Sequence, residues 1–315
     1  MKSYLRLQNL IFNTPQLVAE PMFDVVVRWA DRAMQLNIAN VPSAKLEEGD
    51  YHRPSMASSA EQRRQQIVQD TGVDVIPIHG ILVPRSMQMD PCETMTSYEG
   101  LRNDLNRALA DPAVAHIVFD IDSPGGSATG AFELADEIFA ARAIKPITAI
   151  TNFSAFSGAY LMAAAATDIA VSQSSGVGSI GVIARHADVS ARNTADGIKV
   201  TTVYRGAHKN DLSPHEPITD QSLAALQKMV DMSYEQFTSA VARYRGMTVD
   251  AVKATEADVF FGQGAIDIGL ADSIETPQAA VNRIAESVRA ARPQPAASVR
   301  RITHQAAAMN LRSRI

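Results

Sequence analysis

The sequence predicts an α/β domain whose strands pair largely in parallel, and three observations carry that prediction. From Val73 onward, short β-branched runs alternate with longer segments of helical periodicity, an order that returns each strand beside the last through a helical crossover. Ala113 to Ile121 is a largely apolar run with the length of a buried strand, and it opens into the turn Asp122-Ser123-Pro124-Gly125-Gly126. Hydrophobic residues make up 46% and charged residues 20% of the chain, a balance that supports a packed core and excludes wholesale disorder.

Taken in order, residues 1–40 are predicted to form an N-terminal helical extension. Leu17, Val18, Met22, Val25, Val26, Trp29, Ala30, Ala33 and Met34 have the spacing of an amphipathic helix over 16–37, broken near Pro21 and suited to docking or oligomerisation. Residues 41–72 turn polar and are predicted to be a linker open to cleavage. The domain proper spans 73–289. Val73 to Val83 is a strand and turn, Tyr98 to Ala110 a helix with Leu101, Leu105 and Leu109 on one face, and Ala128 to Ala143 a second helix. Ile147 to Thr151 is a strand and Ser157 to Ala166 a helix; further strands are predicted at Ile169–Ser172, Val182–Arg185 and Lys199–Tyr204. Ser222 to Tyr244 is the longest helical pattern, and Val249 to Asp272 closes the domain. Residues 290–315 carry five arginines and no acidic residue, a basic Ala/Pro-containing tail predicted to be flexible and solvated.

Bulk properties exclude several functions. With 315 residues the chain holds one sizeable core plus extensions. A net charge of −5, from 29 basic against 34 acidic residues, gives no case for nucleic-acid binding. Cys92 is the single cysteine, so there is no internal disulfide; its surroundings offer no activating base, which makes it structural and fits a reducing compartment. No run reaches the roughly 18 to 20 apolar residues of a membrane helix, and the N-terminus has no signal-peptide core. The expectation is a soluble cytoplasmic protein without membrane anchor, cofactor or metal.

The chemistry concentrates in Phe153-Ser154-Ala155-Phe156-Ser157-Gly158-Ala159-Tyr160, a small-residue turn opening an alanine-rich helix. Ser157 at that helix start has free backbone N–H groups beside it, a setting that favours an alkoxide and a developing oxyanion. Upstream, Gly125 and Gly126 let the backbone approach a ligand, and the unshielded Gly126 N–H can point at a substrate carbonyl. Ser157 also needs a base, since a serine hydroxyl is a weak nucleophile near neutral pH. Of the seven histidines, His52 and His304 fall in linker and tail, His116 in a packed strand and His79 at a strand end; His186, His208 and His215 stay open as triad partners. Lys209, in Arg205-Gly206-Ala207-His208-Lys209-Asn210-Asp211, is the other solution, because a desolvated lysine can serve as a neutral-pH base.

These residues resemble the signal peptide peptidase A type of serine peptidase, and within it the tailed-phage capsid-maturation (protein C-like) branch. The resemblance covers about Val73 to Thr276. Its landmarks occur in order: the strand ending at Gly80, Asp122-Ser123-Pro124-Gly125-Gly126, Ser157-Gly158-Ala159-Tyr160, Gly178-Ser179-Ile180-Gly181-Val182, Gly206-Ala207-His208-Lys209, and Gly262-Gln263-Gly264-Ala265 with Gly269-Leu270-Ala271-Asp272. The resemblance implies a Clp protease/crotonase-like ββα spiral. It implies Ser157 as nucleophile and Lys209 as general base of a Ser-Lys dyad, Gly126 and Gly158 as oxyanion-hole amides, and Ser179 as the hydroxyl that orients the lysine. It further implies an extended peptide or protein substrate, a homo-oligomer and no cofactor. One departure is that the glycine pair usual after the nucleophile is Gly158-Ala159 here.

The missing membrane anchor favours the phage branch, in which the enzyme acts inside an immature capsid on scaffold, portal or itself. Three readings compete with it. One is a bacterial housekeeping peptidase degrading signal or other peptides. Another is a non-catalytic capsid scaffold or assembly protein. The third is a crotonase-like acyl-CoA enzyme, which uses the same fold and oxyanion hole without the serine and lysine pair.

Overall fold

A computed structural model describes residues 12–20, 23, 54–85 and 95–292, with backbone alone at 54–60. Eleven strands and nine helices are named within these residues. The strands form two sheets. The larger runs β10-β9-β7-β5-β2, with β8 pairing β7 and β11 beyond it; the smaller runs β1-β6-β3-β4.

The large sheet grows from β2 (Val73–His79), β5 (His116–Ser123) and β7 (Ile147–Phe156), which pair in parallel as predicted. Val73, Ile76, Ile78, Ile117, Ile121, Ile147 and Ala149 are buried, so these strands carry the continuous apolar character of a sheet covered on both faces. Helices α2 (Tyr98–Ala110), α3 (Ala131–Ala141) and α4 (Gly158–Ala164) pack into the main core. On α3, Ala131, Leu134, Ala135, Ile138 and Ala141 recur at helical spacing and are the buried set.

Twice the chain leaves the large sheet and enters the small one before its next helix. After β2 it turns at Gly80, where φ is +70°, into β3 (Ile81–Val83), then β4 (Met95–Ser97) and α2. After β5 it steps through Pro124 into β6 (Gly125–Ser127) and then α3. The Gly80 N–H donates to the Asp122 carbonyl at 2.9 Å and Ser123 Oγ donates to the Gly80 carbonyl at 2.6 Å, so the two exits are tied together. This recurrent ββα order, with parallel sheets in a mixed α/β core, is the architecture the sequence predicts.

Strand β7 is shared. Its first half, Thr148–Thr151, pairs with β8 (Asp168–Val171), and its second half, Ser154–Phe156, pairs with β9 (Gly176–Gly178). The divergence leaves the end of β7 at a junction between the sheets. Helices α5 (Ser190–Ala195), α6 (Asp220–Arg245), α7 (Val249–Lys253) and α8 (Gln263–Asp267) follow, with β10 (Val259–Phe261) and β11 (Ser273–Ile274) completing the large sheet. Helix α9 (Pro277–Ala291) covers the other face through Ala280, Ile284 and Val288.

Four predictions are corrected. Gln16–Val18, assigned to an amphipathic helix over 16–37, is strand β1, paired antiparallel with β6, whose open edge supplies the partner. The remainder of that helix lies largely outside the described residues. Of the polar linker 41–72, residues Pro54–Thr71 form helix α1, and Val68 on it is buried in the core. Arg64 on α1 binds the fully buried Asp74 of β2 through Nε at 2.8 Å and through a second, shorter contact, fastening the helix to the sheet. Lys199–Tyr204 is not a strand but an exposed stretch, with Val203 93% accessible. Val182–Arg185 is reduced to a single bridge at Ile183. Cys92, His52, His304 and the tail beyond Arg292 lie outside the described residues. Among the described residues, no helix is long and apolar enough to cross a membrane.

Candidate active site

Ser157 sits between the end of β7 and the start of α4 with φ +53° and ψ −116°. L-residues avoid such angles, and where they persist the surrounding structure imposes them. Here the Ser157 N–H donates to the Gly178 carbonyl of β9 at 2.8 Å, and the Leu161 N–H takes the Ser157 carbonyl at 3.0 Å. The fully buried Tyr160 hydroxyl donates to the Leu270 carbonyl at 3.0 Å and anchors α4. Although Ser157 occupies the helix-cap position, its hydroxyl makes no cap bond; Oγ lies 3.5 Å from the Gly181 carbonyl. The serine is thus held in a strained elbow with its hydroxyl uncommitted to the helix.

The two candidate oxyanion glycines converge beside it. A Cβ built on Gly158 would lie 3.4 Å from the Gly126 nitrogen, and one built on Gly125 only 2.9 Å from the Gly158 nitrogen. Gly125 has φ +99°, and a Cβ on Gly126 would meet the Leu82 carbonyl oxygen at 1.9 Å, so neither position accommodates a side chain. Strand β6 is held in place from α2, where the buried Tyr98 hydroxyl donates to the Ser127 carbonyl at 2.6 Å. Two backbone N–H groups therefore flank the elbow on a rigid frame, the arrangement that stabilises a developing oxyanion.

Ser179 follows β9, next to the elbow in the sheet: Phe156 is paired with Gly178. It also has positive φ, +53°, and its N–H donates to the Asp258 carbonyl at 2.8 Å. Lys209 is placed differently. It lies exposed in the turn after the 198–204 stretch, its own N–H bonded to the Gly206 carbonyl at 3.1 Å. Among the described residues no hydrogen bond or ion pair engages its ammonium, and none joins it to Ser157. The structure thus brings Ser157, Gly126, Gly158 and Ser179 together and shows no bond from Lys209 to any of them among the described residues.

Each of the five described histidines has a ring nitrogen bonded elsewhere. His116 Nε2 lies 2.9 Å from Thr148 Oγ1, and burial, with Arg283 nearby, pushes its pKa down to about 4. His79 Nε2 faces Asp120 at 3.1 Å. His208 Nδ1 pairs with Asp211 at 2.7 Å on the surface, and bonds from Gln221 and His208 hold the Asp211 carboxyl below its usual range. His215 Nδ1 meets Asn193 Nδ2 at 3.1 Å, and His186 Nδ1 meets Asn13 Oδ1 at 2.9 Å. None is hydrogen-bonded to Ser157 among the described residues. No cluster of three or more metal-ligating side chains is found among these residues either.

One feature of the site escaped the sequence reading: β1. It lies against β6 with Leu17 opposite Gly126, and a Cβ on Gly158 would be 3.1 Å from the Leu17 carbonyl oxygen. No local signal marks it, because its conformation is set by pairing with the edge of β6.

An elbow serine between two sheets and beside two convergent amides is an arrangement suited to acyl transfer, and residues 140–291 match the pattern of peptidase family S49. More particularly, the chain is similar to two phage proteins. It is 36% identical over 287 residues to the head-tail preconnector protein GP5 of Enterobacteria phage P21, covering 88% of this chain and 56% of that protein. It is 34% identical over 283 residues to the capsid assembly protease C of Escherichia phage lambda, covering 87% of this chain and 64% of that one. The chain therefore spans between about half and two thirds of the length of these relatives. A putative signal peptide peptidase SppA of Enterococcus faecium is 28% identical over 180 residues, covering 56% of this chain and 52% of that protein.

Proposed function

We propose that the chain is a serine endopeptidase with a Ser157–Lys209 dyad, acting as a phage capsid-maturation protease on scaffold, portal or its own chain. The observation that carries this reading is the strained Ser157 elbow with the Gly126 and Gly158 amides converging beside it. The similarity to the capsid assembly protease C of phage lambda supports the substrate class.

In this mechanism neutral Lys209 takes the Ser157 proton as Oγ attacks the peptide carbonyl carbon. The Gly126 and Gly158 amides receive the oxyanion, Lys209 returns the proton to the leaving nitrogen, and water releases the acyl group. Ser179 orients the ammonium. Lys209 is delivered from a second copy of the chain: its ammonium has no partner among the described residues, and the stretch leading to it exposes Ile198 (55%), Val203 (93%) and Tyr204 (53%), apolar side chains suited to an interface.

The test is to co-express the full chain with a capsid scaffold protein and follow cleavage. Wild type should cut it, whereas Ser157→Ala and Lys209→Ala should not. Mixing the two inactive variants should restore about a quarter of the sites if each joins a serine from one copy to a lysine from the next. Full activity in Lys209→Ala would transfer the base role to another group, His208 with Asp211 first.

A further inference from the structure

We propose that residues Asn13–Ala19 lie in the substrate cleft as the chain's own substrate, and that Leu17–Val18 is the peptide bond presented to Ser157 for self-cleavage. This rests on the reading of Ser157 as nucleophile.

Three sets of contacts carry it. First, the segment is clamped as a strand between two edges. On one side Leu17 faces Gly126 and Val18 faces Gly125. On the other, the Gln16 N–H donates to the Ile183 carbonyl at 2.8 Å, the Ile183 N–H donates back at 3.0 Å, and the Asn13 N–H reaches the Arg185 carbonyl at 2.9 Å. Strand addition of this kind is how an extended peptide is recognised through its backbone.

Second, the register aims one carbonyl at the Gly126 amide and sets it beside Gly158. Ala19 donates to the Pro124 carbonyl at 2.9 Å and Ala128 to the Pro15 carbonyl at 3.4 Å. Alternation in an antiparallel ladder makes Leu17 and Gly126 the closely bonded pair between them, so the Gly126 N–H is directed at the Leu17 carbonyl oxygen. That oxygen is also 3.1 Å from a Cβ built on Gly158. The Leu17 carbonyl is thus the one that the Gly126 N–H faces and that lies beside Gly158.

Third, the Leu17 side chain is fully buried in the main core cluster and Ser157 is only 1% exposed beneath the occupied cleft. A leucine-sized apolar pocket is filled by the residue on the acyl side of the bond. In the cleavage step Oγ of Ser157 bonds to the Leu17 carbonyl carbon, its proton passes through Lys209 to the Val18 nitrogen, and the C–N bond breaks. Water then frees the Leu17 carboxylate and regenerates the serine hydroxyl.

The experiment uses the full chain as wild type, Ser157→Ala and Leu17→Asp, each followed by intact mass and N-terminal sequencing. A fluorophosphonate probe is added in parallel, together with a synthetic peptide spanning Phe12 to Glu20. Wild type is expected to yield a chain beginning at Val18 and to cut the peptide between leucine and valine; Ser157→Ala should do neither. In Leu17→Asp the carboxylate is rejected by the apolar pocket, so self-cleavage there should vanish while probe labelling quickens at least about tenfold as the cleft opens. If Ser157 takes the probe and other proteins are cut, but the Leu17–Val18 bond stays intact in chain and peptide alike, the inference is overturned and the peptidase reading stands. If Ser157 takes no probe and nothing is cut, both fall together.

Discussion

Replacing Ser157 by glycine should make the protein more stable than replacing it by alanine, the reverse of the usual order. The elbow holds φ +53° and ψ −116°, where a Cβ is strained by about 2 kcal/mol, the middle of the range for such conformations. Alanine keeps that strain and glycine removes it, while glycine adds about 0.5–1 kcal/mol of unfolded-state entropy. The difference leaves Ser157→Gly ahead by about 1 kcal/mol. Neither variant has the hydroxyl, so its loss cancels. The same turn occurs before α8 at Gly262, with φ +47° and ψ −120°, and there the residue is glycine. A serine kept where glycine is the relaxed choice marks a position held for chemistry at the expense of stability. Urea unfolding of the two variants reads the difference as a midpoint shift of about 0.3 M, given a slope near 3 kcal/mol per M. An alanine variant as stable as the glycine one, or more so, would refute the strained elbow.

Gly126→Ala should destabilise the fold by about 1–3 kcal/mol, since its Cβ would strike the Leu82 backbone at 1.9 Å, and should lower kcat by about a hundredfold or more. Gly264→Ala, with open space around the new methyl, is the control for both assays. Arg64→Ala should cost about 3–5 kcal/mol in a thermal or urea melt, because it strands the fully buried Asp74 carboxylate; a neutral result would detach α1 from the domain. His116 has its folded pKa depressed to about 4 from 6.5 by burial, so the unfolded chain binds the proton first as pH falls. Stability should therefore drop between about pH 6.5 and 4, and His116→Gln should flatten that part of a Tm–pH profile.

Much of this was legible in residues whose local chemistry agrees with their tertiary role. Helix α2 begins where Ser97 caps it, its hydroxyl accepting the Gly100 N–H at 3.0 Å, and its predicted bounds coincide with the observed ones. Ser157 and Gly126 were legible in their small-residue turns, whereas Gly158 as the second amide came from the family resemblance. What failed did so for a physical reason. Leu17 and Val18 have a helical spacing with the apolar residues after them, yet their conformation is decided by the free edge of β6, which no local pattern reveals. Gly176-Val177-Gly178 lacks the branched side chains of a strand and becomes one only through pairing with β7 and β10. Lys199–Tyr204 has those side chains and finds no strand partner among the described residues. The position of Lys209, which hangs from that stretch, was unreadable for the same reason.

The account turns on whether Ser157 is a nucleophile activated by Lys209. The most direct measurement is fluorophosphonate labelling of the full-length protein, with the modified residue located by peptide mass spectrometry. The account predicts a single adduct on Ser157 in wild type, absent in Ser157→Ala and strongly reduced in Lys209→Ala. An unlabelled Ser157, or one labelled as fast without Lys209 as with it, would contradict it.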